Sequence, residues 1–529
     1  DYCTNLGIDY IMKHLRYILI VALVLTTSSI YAQNINDALR FSEQYSQGTA
    51  RSMAMGNAFV ALGGEIGAIS INPASSGVYK FSEASITASL NGLNSTNTYL
   101  GNSATKNNTN IDLANIGVIG TFETGRRSSG LISWNLGIVF NRYQSFYRTD
   151  AAFGRTGNSS MLASIANNLN GINARDLDIT DSYNPFFNAN ASWQSVLAWN
   201  ASLLDTLPGT RDQYIAATEN LKGTDISMAG EIDQEYFRNV KGSMSEIMLN
   251  FGGNFSNKFF FGVNVGIHSV LYRYSETYSE SAVNSSQFQS GFRNFSNSYA
   301  QKTSGVGFNI KAGIIYLPTK SLRLGASIST PTWFYLHDKW AEDISCNFSD
   351  GYKQYIESPL GEYNYKINTP LRWNVGAAYT FADKGVLSVD YEQVNYGKAR
   401  LKDDSYYYIE DFTQENALIE KTLKLSHIVR VGAEVNVSQG VSIRGGYQFY
   451  SNPYGTSYNP NHIVSAGLGY STESGYFIDI AYQQKVNASA KTFSLYNDVY
   501  DGSNLVYSAP VGETKDKLFN ILLTFGIRF

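Results

Sequence analysis

The last residues of the chain most constrain what it can fold into. Phe519, Ile521, Leu523, Phe525, Ile527 and Phe529 fall on one face of an extended segment, and Asn520, Thr524, Gly526 and Arg528 fall on the other. Alternation with a period of two marks a strand with a single apolar face. The pattern recurs upstream. Leu387, Val389 and Tyr391 oppose Ser388, Asp390 and Glu392; Val429, Val431, Ala433 and Val435 oppose Arg430 and Glu434. Val441, Ile443, Tyr447 and Phe449 oppose Ser442, Arg444 and Gln448, while Tyr476, Ile478, Ile480 and Tyr482 oppose Asp479, Gln483 and Lys485. On this basis the sequence predicts about fourteen strands, at roughly 82–93, 111–122, 131–146, 243–255, 258–276, 299–317, 321–336, 363–382, 385–397, 425–438, 441–451, 462–472, 475–489 and 515–529.

Periodicity alone does not say which side of such strands meets water. A soluble sandwich turns the apolar face inward, whereas a membrane barrel turns it out to lipid and keeps polar groups of both signs in its lumen. Composition supports a β-rich chain of either kind. Among 529 residues, 38 Tyr and 29 Phe far outnumber 6 Trp, and 46 Gly accompany only 10 Pro, as aromatic strands joined by Gly/Asn/Ser turns would require. With 43% hydrophobic and 16% charged residues the chain is neither disordered nor a typical helical enzyme. A net charge of -4 with no basic run gives no surface for nucleic acid.

The beginning of the chain favours the barrel. Met12, Lys13, His14 and Arg16 precede the apolar run from Tyr17 to Leu25, and small residues follow as far as Ala32, the layout of a signal peptide. The run is short of the roughly 20 residues that cross a bilayer as a helix. Residues 1–32 are therefore read as upstream residues plus an export signal, with no cysteine after Ala32 to carry a lipid anchor. Of the two cysteines, Cys3 leaves with the signal and Cys346 is expected to sit idle in a polar loop. An exported, aromatic chain without a helical span has one spanning structure open to it, the closed β-barrel. Short connections (Glu123–Gly130, Ser256–Lys258, Pro318–Lys320, Asp383–Gly385, Ser438–Gly440 and Glu473–Gly475) alternate with long ones. That alternation predicts a periplasmic N-terminal segment and a periplasmic Phe529, the aromatic end by which barrel-assembly machinery would handle the last strand.

Two segments stand outside the strand pattern. Residues 33–80 are rich in Gly, Ala, Ser and Met and precede the barrel at 81–529. Residues 147–242 form a long extracellular loop with helix-like stretches at Met161–Leu169, Trp193–Leu204 and Asp212–Leu221. Its Phe186, Phe187, Trp193 and Trp199, with Leu197, Leu203 and Leu204, offer either an external ligand groove or the interior of a folded cap. Chemistry-bearing motifs are missing. His268, His337, His427 and His462 lack metal-ligand spacing, and neither a nucleophile elbow nor a phosphate loop occurs. The expectation is a protein without cofactor or metal, and not an enzyme.

One segment carries a family resemblance. Gly48-Thr-Ala-Arg-Ser-Met-Ala-Met-Gly-Asn-Ala-Phe-Val-Ala-Leu62, followed by Gly67-Ala-Ile-Ser-Ile-Asn-Pro-Ala74, resembles the N-terminal hatch of the FadL/OmpP1/TodX family of outer-membrane transporters, with Asn72, Pro73 and Ala74 as the core motif. The chain departs from the family pattern at Gly63-Gly64-Glu65, Ile71 and Ser75-Ser76. The resemblance implies a barrel of fourteen strands plugged by residues 33–80, in the outer membrane of a Gram-negative bacterium. It also implies passive uptake of hydrophobic compounds such as long-chain fatty acids, captured by external loops and released sideways past a kinked third strand. Gly137, between Leu136 and Ile138, is the candidate for that kink, since a mid-strand glycine often marks a bulge. Two alternatives share the barrel: a scaffold for protein secretion of the type IX kind, with a secretion-system partner, and an open porin.

Overall fold

In a computed structural model the described residues are 35–45, 48–382, 384–405, 411–486 and 491–529. The export signal expected over residues 1–32 lies outside them. Fourteen antiparallel strands close into a barrel. In chain order they are β1 (Glu83–Tyr99), β2 (Asn102–Glu123), β3 (Leu131–Ser145, resuming as Arg148–Thr156), β4 (Ile232–Phe255), β5 (Phe259–Ala282), β6 (Phe292–Tyr316) and β7 (Leu322–Ser329, resuming as Trp333–Phe348). Then follow β8 (Gly361–Asn368 and Arg372–Thr380), β9 (Gly385–Asn395 and Arg400–Asp403), β10 (Leu425–Ser438), β11 (Val441–Tyr450), β12 (Asn461–Ser471), β13 (Tyr476–Val486 and Lys491–Ser494) and β14 (Val511–Arg528). Closure is made by β1 against β14, in register from Glu83 with Arg528 to Thr98 with Glu513. A closed ladder leaves no sheet edge to satisfy in lipid.

The pleat runs the way lipid demands. On β13, Tyr476, Ile478, Ile480 and Tyr482 are 47, 45, 47 and 45% exposed, while the inward Asp479 and Gln483 are 4 and 3% exposed. Aromatic pairs bound the apolar belt at both margins. Phe122 stacks on Trp134 and Tyr379 meets Phe381 near the Phe529 end. Phe308 with Trp333, Trp373 with Tyr391, and Tyr482 with Phe519 mark the other margin. Such girdles place amphipathic rings at the two faces of a bilayer.

About ten residues carry a strand across a bilayer, yet β4 and β5 have 24 residues each and β6 has 25. The surplus projects beyond the belt at the end away from Phe529. There β1 and β2 continue as a polar hairpin closed by Leu100 and Gly101, both at positive φ (47° and 79°). The long connection expected at 94–110 is thus a tight turn between extended strands. Past the belt the outward side chains no longer face lipid, so Ser103, Thr105, Asn107 and Thr109 replace the apolar set and the alternation that marks a strand fades.

The projecting rim carries a folded cap, residues 157–231, since 148–156 and 232–242 belong to β3 and β4. Its helices Met161–Leu169 (α1) and Trp193–Asn200 (α2) bury Leu162, Ile165, Leu169, Val196 and Leu197 against Phe292, Phe295 and Ile344 of the rim. Glu280 of β5 accepts the Met161 amide at 2.7 Å and the Ser160 hydroxyl at 2.6 Å, anchoring the start of α1 to the barrel. The helix expected at Asp212–Leu221 is instead two strand pairings, Tyr214–Ala216 with Leu204–Thr206 and Glu219–Lys222 with Asp225–Met228. Alternation of buried Tyr214 and Ala216 about Ile215 fits a strand's period. Cys346 is also not in a polar loop. It lies in β7, 1% exposed, with Sγ 3.2 Å from the Ala201 carbonyl where the cap meets the rim.

Candidate functional site: the plugged lumen

Residues 48–79 fold inside the barrel as a hatch. Short helices, Ala50–Ala54 (α-helical) and Gly67–Ser70 and Pro73–Val78 (3-10), are joined by irregular chain, which leaves many backbone groups without partners of their own. The wall supplies them. Asp390 accepts the Val60 amide at 2.9 Å, Thr524 accepts the Ala50 amide at 2.7 Å, and Gln483 donates to the Met53 carbonyl at 2.9 Å. Asn264 donates to Ile69 at 2.8 Å, Ser327 to Ile71 at 2.8 Å, and Asn250 to Pro73 at 3.1 Å. Arg51 of the hatch holds Glu434 of β10 through two bonds of 2.9 Å, a bidentate pair of the strong kind.

Asn72 is the pivot of this seat. Its side-chain oxygen caps the Pro73–Val78 turn by accepting the Ala74 amide at 3.0 Å. Its amide nitrogen donates to Val60 of the hatch at 2.6 Å and to Ile314 of β6 at 3.1 Å. Pro73 supplies a fixed φ at the first helical position, and Ala74 is fully buried beside Phe260 and Ile315. Wall glycines make room for the plug. A β-carbon on Gly313 would lie 1.9 Å from Asn72 Oδ1, one on Gly262 2.2 Å from the Pro73 carbonyl, and one on Gly325 2.1 Å from the Val60 carbonyl. Sequence reasoning missed these positions, because a strand glycine does not announce what approaches it.

Above the hatch, reckoned from Phe529, lies a cavity of about 820 Å³. Met53 is at its floor and Tyr143, Phe146, Tyr272, Tyr450 and Phe493 line it. Four barrel cations face it. Arg148 is held by Asp150 and Asp516, and Arg238 by Asp150. Lys485 and Lys491 have no carboxylate within ion-pair distance among the described residues, although Glu43 also borders the cavity.

The cavity reaches the wall where β3 breaks step. The β2–β3 ladder stops at Asn115 with Asn141, while β2 runs on to Asn102 paired only with β1. The register of β3 against β4 slips between Arg142 and Gln144, the strand interrupts at 146–147, and Arg148–Thr156 pairs with β4 alone. What spans the resulting slit is side chain: Asp112 to Arg142 and Ser145, and Asn108 to the Thr149 carbonyl at 3.3 Å. Its lower end is flanked outside by Ile111, 74% exposed, and Leu113. Gly137 is elsewhere. It pairs with Ile119 on β2 and Asn250 on β4 in unbroken register, and a β-carbon there would meet nothing closer than 3.3 Å.

The aromatic residues of the cap are divided between interior and surface. Phe186 and Trp193 are buried in its core, edge to face at 5.6 Å, and Trp199 is partly buried against that core. Phe187 is 61% exposed. They do not line one open groove. Phe529, 67% exposed, pairs its backbone with Ser82 and ends the barrel wall.

No protein-family model matches the sequence, and no curated protein matches it. Solved structures do. A Pseudomonas aeruginosa FadL homologue aligns with a TM-score of 0.52 at 11% identity, covering 92% of this chain and 100% of its own. The P. putida toluene transporter TodX aligns with a TM-score of 0.50 at 12% identity, covering 92% and 99%. The chain therefore has the fold of the FadL/TodX barrels, fourteen strands around an N-terminal hatch.

Proposed function

We propose that the protein is a passive outer-membrane transporter of hydrophobic compounds that carry an acidic head, with long-chain fatty acids as the type. The observation that carries this reading is the aromatic cavity above the hatch, supplied with Lys485 and Lys491, which have no carboxylate at ion-pair distance among the described residues, and continuous with the slit beside Arg142. A carboxylate held by lysine leaves its tail among Tyr272, Tyr450 and Phe493. Leaving through the slit into the acyl region keeps the tail out of water, worth about 0.8 kcal/mol for each methylene. No energy source enters this scheme. The name of one aligned structure, a toluene transporter, agrees with hydrophobic cargo.

In this reading the Phe529 end faces the periplasm of a Gram-negative cell, the cap faces outward and meets the ligand first, and outer-membrane lipids surround the belt. The break at 142–147 then forms the opening, and Gly137 lies in the continuous wall below it. The test is uptake of radiolabelled oleate and toluene by cells whose only such transporter is this chain. Uptake of oleate that falls several-fold in Lys485→Gln/Lys491→Gln, with toluene uptake unchanged, supports the acidic-head reading. Uptake of neither compound by the folded wild type overturns transport and leaves a scaffold.

A further inference from the structure

The mouth of the lumen at the Phe529 end holds a second cavity, of about 390 Å³, beneath the hatch. Its cations are Arg51, Lys80, Arg323 and Arg528, and its only acids among the described residues are Glu83 and Glu434. Both acids are engaged. Glu83 accepts Arg528 Nε at 2.8 Å and the Tyr79 hydroxyl at 2.9 Å, and Glu434 is shared by Arg51 and Arg444. Arg323 is left over. One nitrogen of its guanidinium donates to the Leu62 carbonyl at 2.6 Å, its Nε is buried without a partner, and no carboxylate stands within ion-pair distance of it among the described residues. A buried donor on a cation is costly to leave unmet.

The surroundings match an amphiphile. Leu62, Val78 and Val386 give the cavity an apolar side, and Phe81, 63% exposed, stands at its rim. The hatch forms the inner wall through Gly63 and Gly64, both at positive φ, so backbone comes close to the space that Arg323 faces. We infer that Arg323, with Lys80, forms a binding site for the oxyanion of an amphipathic molecule at the turn end of the lumen, distinct from the cavity above the hatch. The planar fork of Arg suits a phosphate or carboxylate through two parallel bonds. Such a group comes either from a phospholipid-like amphiphile at the barrel mouth or from a free anion, and the apolar side argues for the first.

The experiment is binding of dodecyl phosphate and of inorganic phosphate to the full chain in a neutral detergent, followed by equilibrium dialysis. Arg323→Gln and Arg323→Lys are made in a Lys485→Gln/Lys491→Gln background, which removes the lysines of the cavity above the hatch, with barrel folding checked by heat-modifiable gel migration. The expected result in that background is dodecyl phosphate affinity at least ten-fold weaker with Arg323→Gln and partly restored with Arg323→Lys. Tighter binding of dodecyl phosphate than of inorganic phosphate supports the amphiphile, and equal binding with the same dependence on Arg323 supports a free oxyanion at the same site. Equal affinity with and without Arg323→Gln in that folded background overturns the inference. Because the lysines of the upper cavity are absent from this background, loss of the transport reading would leave this result standing.

Discussion

Gly313 of β6 and Asn72 of the hatch stand so close that a β-carbon on the glycine would lie 1.9 Å from Asn72 Oδ1. The wall and the plug are therefore fitted to each other at single-atom scale. Gly313→Ala is expected to displace the hatch, with a stability cost of about 1–3 kcal/mol from overpacking. Gly445→Ala is the control, since a β-carbon there first meets an atom at 4.0 Å. Current recordings should show openings in Gly313→Ala that neither Gly445→Ala nor the wild type shows.

Asn72→Ala removes the cap on the Ala74 amide and the donor to Val60 and Ile314. Each buried partner left unmet costs about 1–3 kcal/mol. The expected outcome is a hatch cut faster by protease while the barrel keeps its gel mobility. Protection equal to wild type would show that Asn72 does not hold the seat.

The cap residues separate by burial. Phe186→Ala is expected to loosen the cap by about 3–5 kcal/mol, as for other buried Phe truncations. Phe187→Ala should stay within about 0.5 kcal/mol, being mostly in water. Hydrogen exchange of the α1 amides, Met161–Leu169, reads the difference.

The cap also carries a pH dependence. Glu219 is buried there, and loss of water pushes its carboxyl above the ordinary range, against the opposing pull of the Ala216 amide and the Tyr507 hydroxyl. A raised carboxyl favours the folded state most when protonated. The cap should thus be firmest at acid pH and lose protection as pH climbs from the ordinary carboxylate value through the raised one, by at most about 1.4 kcal/mol per pH unit. Glu219→Gln should abolish that slope, because its amide oxygen can still accept from Ala216. A slope that persists in Glu219→Gln assigns it to another group.

How much of this was legible in the sequence follows from where lipid acts. The belt portions of the strands were legible because lipid on one side and lumen on the other force an alternation such as Tyr476 to Tyr482 against Asp479 and Gln483. The extensions were not, since beyond the belt water lies outside: Ser103 to Thr109 read as loop but continue β2. The hatch motif Asn72-Pro73-Ala74 pointed to a buried turn, and its cap and ladder contacts explain the residue types. Its receptors on the wall stayed hidden, because Gly262, Gly313 and Gly325 gain meaning only from a segment some two hundred residues or more away. At Gly137, where a glycine drew attention, the register is unbroken; β3 slips around Tyr143, whose side chain turns inward to meet His268 at 3.1 Å, and no residue type in the sequence marks that slip.

The central claim, a barrel closed by its own N-terminal segment, is tested most directly by ion conductance in a planar bilayer of a chain spanning 33–529 beside one that starts after residue 80. The account predicts that the longer chain stays silent and that the shorter one passes large, steady currents. Large steady conductance from the longer chain would contradict it and make the protein an open porin.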